Sequence, residues 1–437
     1  MKDSTVTNLI GRKKRRLSIQ SALLFVFLFA THSLFAQKIL TIEECQQKAR
    51  DNYPLIRQHG LINLSEKYTL SSVSMAWYPQ ITFNAQATYQ TDVTRIPFSV
   101  PNINIPTMDK DQYRVSFDVS QTIWDGGATR SLERVAEASF ELDHQNLEVT
   151  LYTLRERVNQ LFFGVLTVDE QLKQLDILEK DLQAGRTLVN TLLQNGTAMQ
   201  SEVDVVQVEI LNTSQKRTEL TALRKAFANM LSAMIGETVD DNASLAKPEE
   251  PAANRLAGIT RPEMLLFTRQ KDLFDAQLKN IADRAAPKLS LFVQGGYGKP
   301  GLNMLSNRFD FFALGGIKLK WDFGNMYSSR IEITLLKNNK KILDVQQETF
   351  LFNTNLQLTQ AWQEIQKTKE LMQTDDEIIQ LRHRVKTAGE SKYANGVYTV
   401  NDLVKDINAE NQSRQAKILH EVQYLMSVYQ YKVIAGD

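Results

Sequence analysis

A chain of 437 residues with a formal net charge of +1, 19 glycines and 10 prolines is long enough for two or three globular domains. Its single cysteine, Cys45, excludes an intrachain disulfide and any cysteine-based metal cluster. Long Gln-, Leu-, Asn- and Glu-rich stretches with little glycine or proline point to very long helices rather than compact domains.

The N-terminus reads as an export signal. Arg12-Lys13-Lys14-Arg15-Arg16 is a basic cluster, Ala22 to Ala30 is a short apolar run, and Ala36 offers a cleavage point before Gln37. That run is roughly half of the ~20 residues that a spanning helix needs. Residues 1–36 hold six Lys/Arg and one Asp, so the remainder, with 45 basic and 49 acidic residues, carries −4. A mildly acidic exported chain is a poor partner for nucleic acid. The mature sequence has no apolar run long enough for a transmembrane helix, so entry into a membrane requires a closed β-barrel.

Thr41 to Trp77 is amphipathic and predicts helix. Ile81 to Tyr89 then alternates apolar and polar residues, as does Tyr113 to Ile123, with Tyr113, Val115, Phe117, Val119 and Ile123 on one face. Period two predicts strands. Trp124-Asp125-Gly126-Gly127 closes the second strand. Ala128 to about Asn195 contains no proline, and Leu151, Leu154, Val158, Leu161, Val165, Val168, Leu172 and Leu175 keep coiled-coil spacing. Roughly 68 residues at about 1.5 Å each span on the order of 100 Å. Asn195-Gly196 supplies a turn, and Thr197 to about Gly236 returns as a shorter helix. Residues 237–259 lose helical periodicity and read as a linker, either a spacer or an ordered belt.

The same order then recurs. Arg261 to Ala286 predicts helix. Leu289, Leu291, Val293 and Tyr297 mark a third strand, and Phe309, Phe311, Ile317, Leu319 and Trp321 a fourth, with Lys318 and Lys320 opposite. Tyr327 to about Lys392 predicts a second long helix, Asn395-Gly396 a second turn, and a return helix runs to Val433. Pro54 to Pro79 and Pro262 to Pro287 are both 25 residues apart; Trp124 to Asn195 and Trp321 to Asn395 are 71 and 74. The chain is therefore a duplicated domain, residues 37–236 and 260–437.

Each strand is near the length that crosses a bilayer at a tilt, and Tyr89, Tyr113, Trp124, Tyr297 and Trp321 stand where interfacial aromatics belong. The competing reading is two hairpins with one face on a soluble core; the export signal and the long helices favour the membrane. Four strands cannot close. Two chains would give eight strands, whose interior side chains fill, whereas three give twelve and a polar lumen. The expected fold is thus an α+β membrane protein. A helix-strand-strand-helix-helix repeat contributes four strands per chain to a trimeric 12-stranded β-barrel, joined to a long α-helical barrel.

Thr41-Ile42-Glu43-Glu44 with Pro54, Tyr78-Pro79-Gln80, Trp124-Asp125-Gly126-Gly127 and Tyr393-Ala394-Asn395-Gly396-Val397-Tyr398-Thr399-Val400-Asn401-Asp402-Leu403 together resemble the TolC-like outer membrane efflux protein family. The resemblance covers essentially the whole mature chain. It implies a homotrimeric exit duct in the Gram-negative outer membrane, of a tripartite efflux or type I secretion system. It also implies a periplasmic helical barrel whose hairpin tips (Asn195, Gly196, Asn395, Gly396) dock a periplasmic adaptor, which couples the duct to an inner-membrane pump. The family's periplasmic gate maps to Tyr393, with the acidic position six after Gly396 at Asp402. A second acidic gate position is Lys405 here, and Glu202 and Asp204 follow Gly196. Three copies of Asp402 around a three-fold axis would favour cations and resist closure unless paired, with Lys405 of the same or a neighbouring chain as the candidate partner; the alternative is that both are solvated tip residues.

Other motifs carry no chemistry. Gly296-Tyr297-Gly298-Lys299-Pro300-Gly301 has dinucleotide-loop spacing but leads into a strand, not a helix. His59, His144, His383 and His420 are scattered along predicted helices and do not suggest a metal site; Asp375-Asp376 and Glu249-Glu250 read as solvated. No catalytic residue, cofactor site or metal site is expected, and the sequence does not identify the cargo. The alternative function is a non-channel periplasmic scaffold or adaptor with long helical hairpins. Such a protein normally has one hairpin flanked by compact β domains.

Overall fold

The computed structural model describes residues 39–94, 107–239, 245–249 and 258–437. The expected export signal lies outside the described residues, as does most of the linker.

The first copy begins with α1 (Ile42–Asn52), a 3-10 turn at Pro54–Arg57 and α2 (Gln58–Ser74). Pro54 ends α1 because the residue before a proline is pushed to extended geometry, and Tyr53 adopts φ −66°, ψ 130°. Strands β1 (Gln80–Tyr89) and β2 (Asp111–Trp124) follow. Then come α3 (Ala128–Tyr152), α4 (Leu154–Gln194) and α5 (Gln200–Ile235). The second copy runs α6 (Pro262–Arg284), β3 (Lys288–Lys299), β4 (Asp310–Lys320), α7 (Gly324–Ala394) and α8 (Val400–Ala435).

One expectation needs correction. The first long helix is not continuous, because Thr153 separates α3 from α4. The Thr150 and Thr153 hydroxyls donate back to the carbonyls of Asn146 and Thr150 at 2.9 and 2.8 Å, the kind of local bond that competes with the helical ladder. The equivalent α7 runs 71 residues without a break.

The described residues form two compact units, each drawn from both sequence copies. One comprises residues up to 49, 158–251 and 371–425, and is helical. Its core holds Leu175, Leu182, Val189 and Val206 of the first copy with Tyr393, Leu403 and Ile407 of the second. The other comprises residues 50–157, 252–370 and 426–437 and contains the sheet. The four strands pair antiparallel in the order β1-β2-β3-β4, and β2–β3 is the seam between the copies, with Val115 opposite Tyr297 and Val119 opposite Val293.

The sheet has two chemically different faces. On one, Ile81, Phe83, Val115, Phe117, Leu291, Val293, Phe311, Ile317 and Leu319 are all exposed, Phe311 to 88%. On the other lie Asn84, Ser116, Arg114 and Asp118, with Asn84 donating to the Asp118 carboxylate. This second face is less uniformly polar than alternation predicts. Phe292, Leu314 and Phe312 share it, paired with Ser120, Gln294 and Gly296. Gly296 makes room for this: a Cβ there would stand 2.6 Å from the Phe312 ring, and Arg114 covers that ring at 5.0 Å. The glycine spacing that mimics a nucleotide loop thus serves aromatic packing inside a strand.

Candidate functional site

The two helical hairpins end in nearly identical turns. Gly196 and Gly396 have φ of 74° and 73°, in the left-handed region that glycine occupies without strain. In each, the Gly N–H donates to the carbonyl three residues back (Leu193, Tyr393) and the next N–H to the carbonyl five back (Leu192, Lys392). This is a C-terminal capping motif. The tips are exposed, and Met199 and Val397 are apolar residues standing free at 72% and 76%.

The return helices start with acidic caps. Glu202 accepts the Met199 N–H at 3.0 Å. Asp402 accepts the Thr399 N–H at 3.2 Å and its hydroxyl at 2.6 Å, while the Thr399 hydroxyl oxygen accepts the Asp402 N–H at 3.2 Å. This reciprocal pair is a capping box. The hydroxyl and amide of Thr399 hold the Asp402 carboxyl below its usual range, aided by the charge of Lys405. The expected Asp402–Lys405 ion pair is not formed within the chain: Lys405 is exposed and Thr399 is the carboxylate's partner.

Tyr393 lies inside the helical core at 4% exposure, and its hydroxyl has no hydrogen-bond partner. Burial, with the nearby Glu202 charge, pushes that hydroxyl up to about 12. Immediately before the capping box in sequence, Tyr398 donates to Asp406 at 3.2 Å.

A buried ion-pair cluster, absent from the sequence reading, sits farther along the same helices. Lys386 of α7 is 2.9 Å from Asp181 of α4 and 3.0 Å from Glu410 of α8. Arg414 reaches Glu410 at 2.5 Å, and His383 Nδ1 lies 3.2 Å from the same carboxylate. Burial alone would raise the Glu410 carboxyl, but Arg414 and Lys386 outweigh it and hold it low. Burial would likewise lower the Lys386 ammonium, yet Asp181 and Glu410 raise it. Asp375, expected to be solvated, is instead buried and bonded to His420 at 2.9 Å, while Asp376 pairs with Lys417 at 2.6 Å. His59 and His144, far apart in sequence, meet at 3.2 Å. Apart from Arg414–Glu410, an i,i+4 pair within α8, no sequence spacing signals these contacts, because the others join separate helices.

The aromatics expected at a membrane interface fall at the two ends of the sheet, all exposed. Tyr89, Tyr113 and Tyr297 share one end with Phe309 and Phe311; Tyr297 is 4.7 Å from Phe311 between ring centroids. Trp124 and Trp321 lie at the other, where Trp321 donates to the Ala285 carbonyl at 3.2 Å. No helix among the described residues is long and apolar enough to cross a membrane.

Residues 47–237 match the outer membrane efflux protein family. The fold continues that likeness over both copies. VceC of Vibrio cholerae superposes with a TM-score of 0.64 at 11% identity, over 90% of this chain and 96% of that one. The CmeC outer membrane channel of Campylobacter jejuni gives 0.60 at 13%, over 90% and 85%. The open state of the Neisseria gonorrhoeae MtrE channel gives 0.60 at 14%, over 90% and 89%. The sequence likeness to that family covers residues 47–237, and over both copies the chain shares the fold of these outer membrane channels. No curated protein matches the sequence.

Proposed function

We propose that three copies of this chain form a passive exit duct. Twelve strands would close into one barrel in the outer membrane, and the paired hairpins would line a periplasmic conduit. The hairpin tips would dock an adaptor coupled to an inner-membrane pump. The observation that carries this reading is the four-stranded sheet, which among the described residues is apolar and uncovered on one face and unpaired at both edges, β1 and β4. In lipid each unpaired edge group costs several kcal/mol, and in water the apolar face would aggregate. Closure of β1 of one chain on β4 of the next removes both problems.

The helices support the same assembly. Tyr327, Ile331, Leu335, Ile342, Val345 and Phe352, spaced by three, four or seven residues, form a stripe along α7 that is exposed in the single chain. A scaffold or adaptor would leave both the stripe and the sheet face in water. The gate is proposed at the second tip, where three copies of Asp402 would ring the axis, with Tyr393 anchoring the turn in the core and Lys405 available to a neighbouring chain.

Disulfide trapping tests the closure. In a Cys45→Ser background, a cysteine at Ala85 in β1 scanned against cysteines at Ala313 and Gly315 in β4 should yield covalent trimers in membranes for one pair. Monomers alone for every pair would remove the barrel.

A further inference from the structure

We propose that His59 and His144 bind a borderline divalent cation of the Zn2+, Cu2+ or Ni2+ class, strapping α2 to α3. The two imidazoles come from opposite sides of the first strand hairpin, yet their Nδ1 atoms are 3.2 Å apart. Two nitrogens on one ion at about 2.0–2.1 Å each are separated by roughly 3.0–3.4 Å when they subtend an angle near tetrahedral. The ring planes differ by 20° with centroids 5.3 Å apart.

The surroundings fix one partner in the required tautomer. His59 Nε2 is 2.9 Å from Glu148 Oε1, and Arg50 holds both oxygens of that carboxylate, at 2.9 and 2.8 Å. An ionised carboxylate only accepts, so His59 carries its proton on Nε2 and presents the Nδ1 lone pair to His144. A carboxylate behind the imidazole is the usual second contact of a metal-ligating histidine. In the metal-free pair, His144 Nδ1 donates to His59 Nδ1. When the ion enters, that proton moves to Nε2 of His144, and both Nδ1 lone pairs become ligands with no net proton release.

The site is open, since His144 is half-buried and the His59 side chain is 34% exposed. Among the described residues no group of three or more His, Cys, Asp or Glu stands close enough to hold a metal. Water therefore completes the coordination, and the ion binds more weakly than in a closed site. The pair is independent of the duct reading.

The test is Cu2+ titration of the tag-free, chelator-stripped mature protein in detergent, followed by electron paramagnetic resonance, with Zn2+ calorimetry in parallel. One Cu2+ per chain with two-nitrogen hyperfine structure is expected. His59→Ala and His144→Gln, the latter keeping a hydrogen-bond donor, should each weaken binding at least tenfold, while His420→Ala leaves it unchanged. Equal binding in the His59 and His144 variants, or no saturable binding in the parent protein, would overturn the proposal and leave a hydrogen-bonded histidine pair.

Discussion

At the scale of single residues, Asp402 has two roles to separate, capping α8 and placing charge at the proposed gate. Asn at this position keeps an oxygen for the Thr399 amide and removes the charge; Thr399→Ala breaks the cap and keeps it. Asp402→Asn should therefore reduce cation preference in bilayer reversal potentials, whereas Thr399→Ala should loosen the tip in hydrogen exchange. Because the Asp402 carboxyl is held below its ordinary value, its contribution is complete above the unfolded value near pH 4 and is lost as pH falls through the lower folded value. Hydrogen-exchange protection factors at the tip, corrected for the intrinsic rate, should thus be flat from neutral to mildly acid pH and fall only below about pH 4. The cap has a local signal, the capping-box spacing of Thr399-x-x-Asp402, which the sequence reading did not take up. Its gate assignment rested on resemblance. Lys386 and Glu410 carried no such signal, since their meeting depends on how α7 and α8 pack. Lys386→Met leaves Glu410, 2% exposed, short of a cation and should cost about 3–5 kcal/mol in denaturant unfolding, much of it regained on adding Glu410→Leu. With Glu410 held low and Lys386 high, the cluster should be fully stabilising through neutral pH. It should weaken only as acid protonates Glu410 or strong base deprotonates Lys386.

At the scale of elements, the strands and tips were readable because their signals are local. Alternation from Ile81 to Tyr89 and the Asn-Gly pairs gave β1 and both turns within a residue or two of where they lie. The break at Thr153 was not readable, since threonine occurs within other helical stretches here without breaking them: Thr368 and Thr387 also bond back to carbonyls inside an uninterrupted α7. The aromatic intrusion of Phe292 and Phe312 on the polar face likewise departs from alternation, because glycines across the pairing make space that a period-two pattern does not register. The tips make a sharp prediction. A Cβ at Gly196 or Gly396 meets nothing within 4 Å, so replacement by Ala costs backbone strain alone, roughly 1–2 kcal/mol. Gly396→Ala should lower the unfolding midpoint measurably and Gly396→Asn less, as asparagine tolerates this geometry.

At the scale of the whole molecule, the duplication is visible in sequence, but the compact units are not its two copies. Each unit takes segments from both, because a long helix from one copy packs beside its counterpart from the other, a pairing that repeat spacing does not specify. The exposed sheet face and the α7 stripe are features of an incomplete body, and the account rests on their completion by two further chains. Single-channel recording of the detergent-extracted mature protein in planar bilayers tests this most directly. Stable conductance from a trimeric species, with ion selectivity shifted by Asp402→Asn, is the predicted result; a water-soluble monomer that gives no conductance would contradict it.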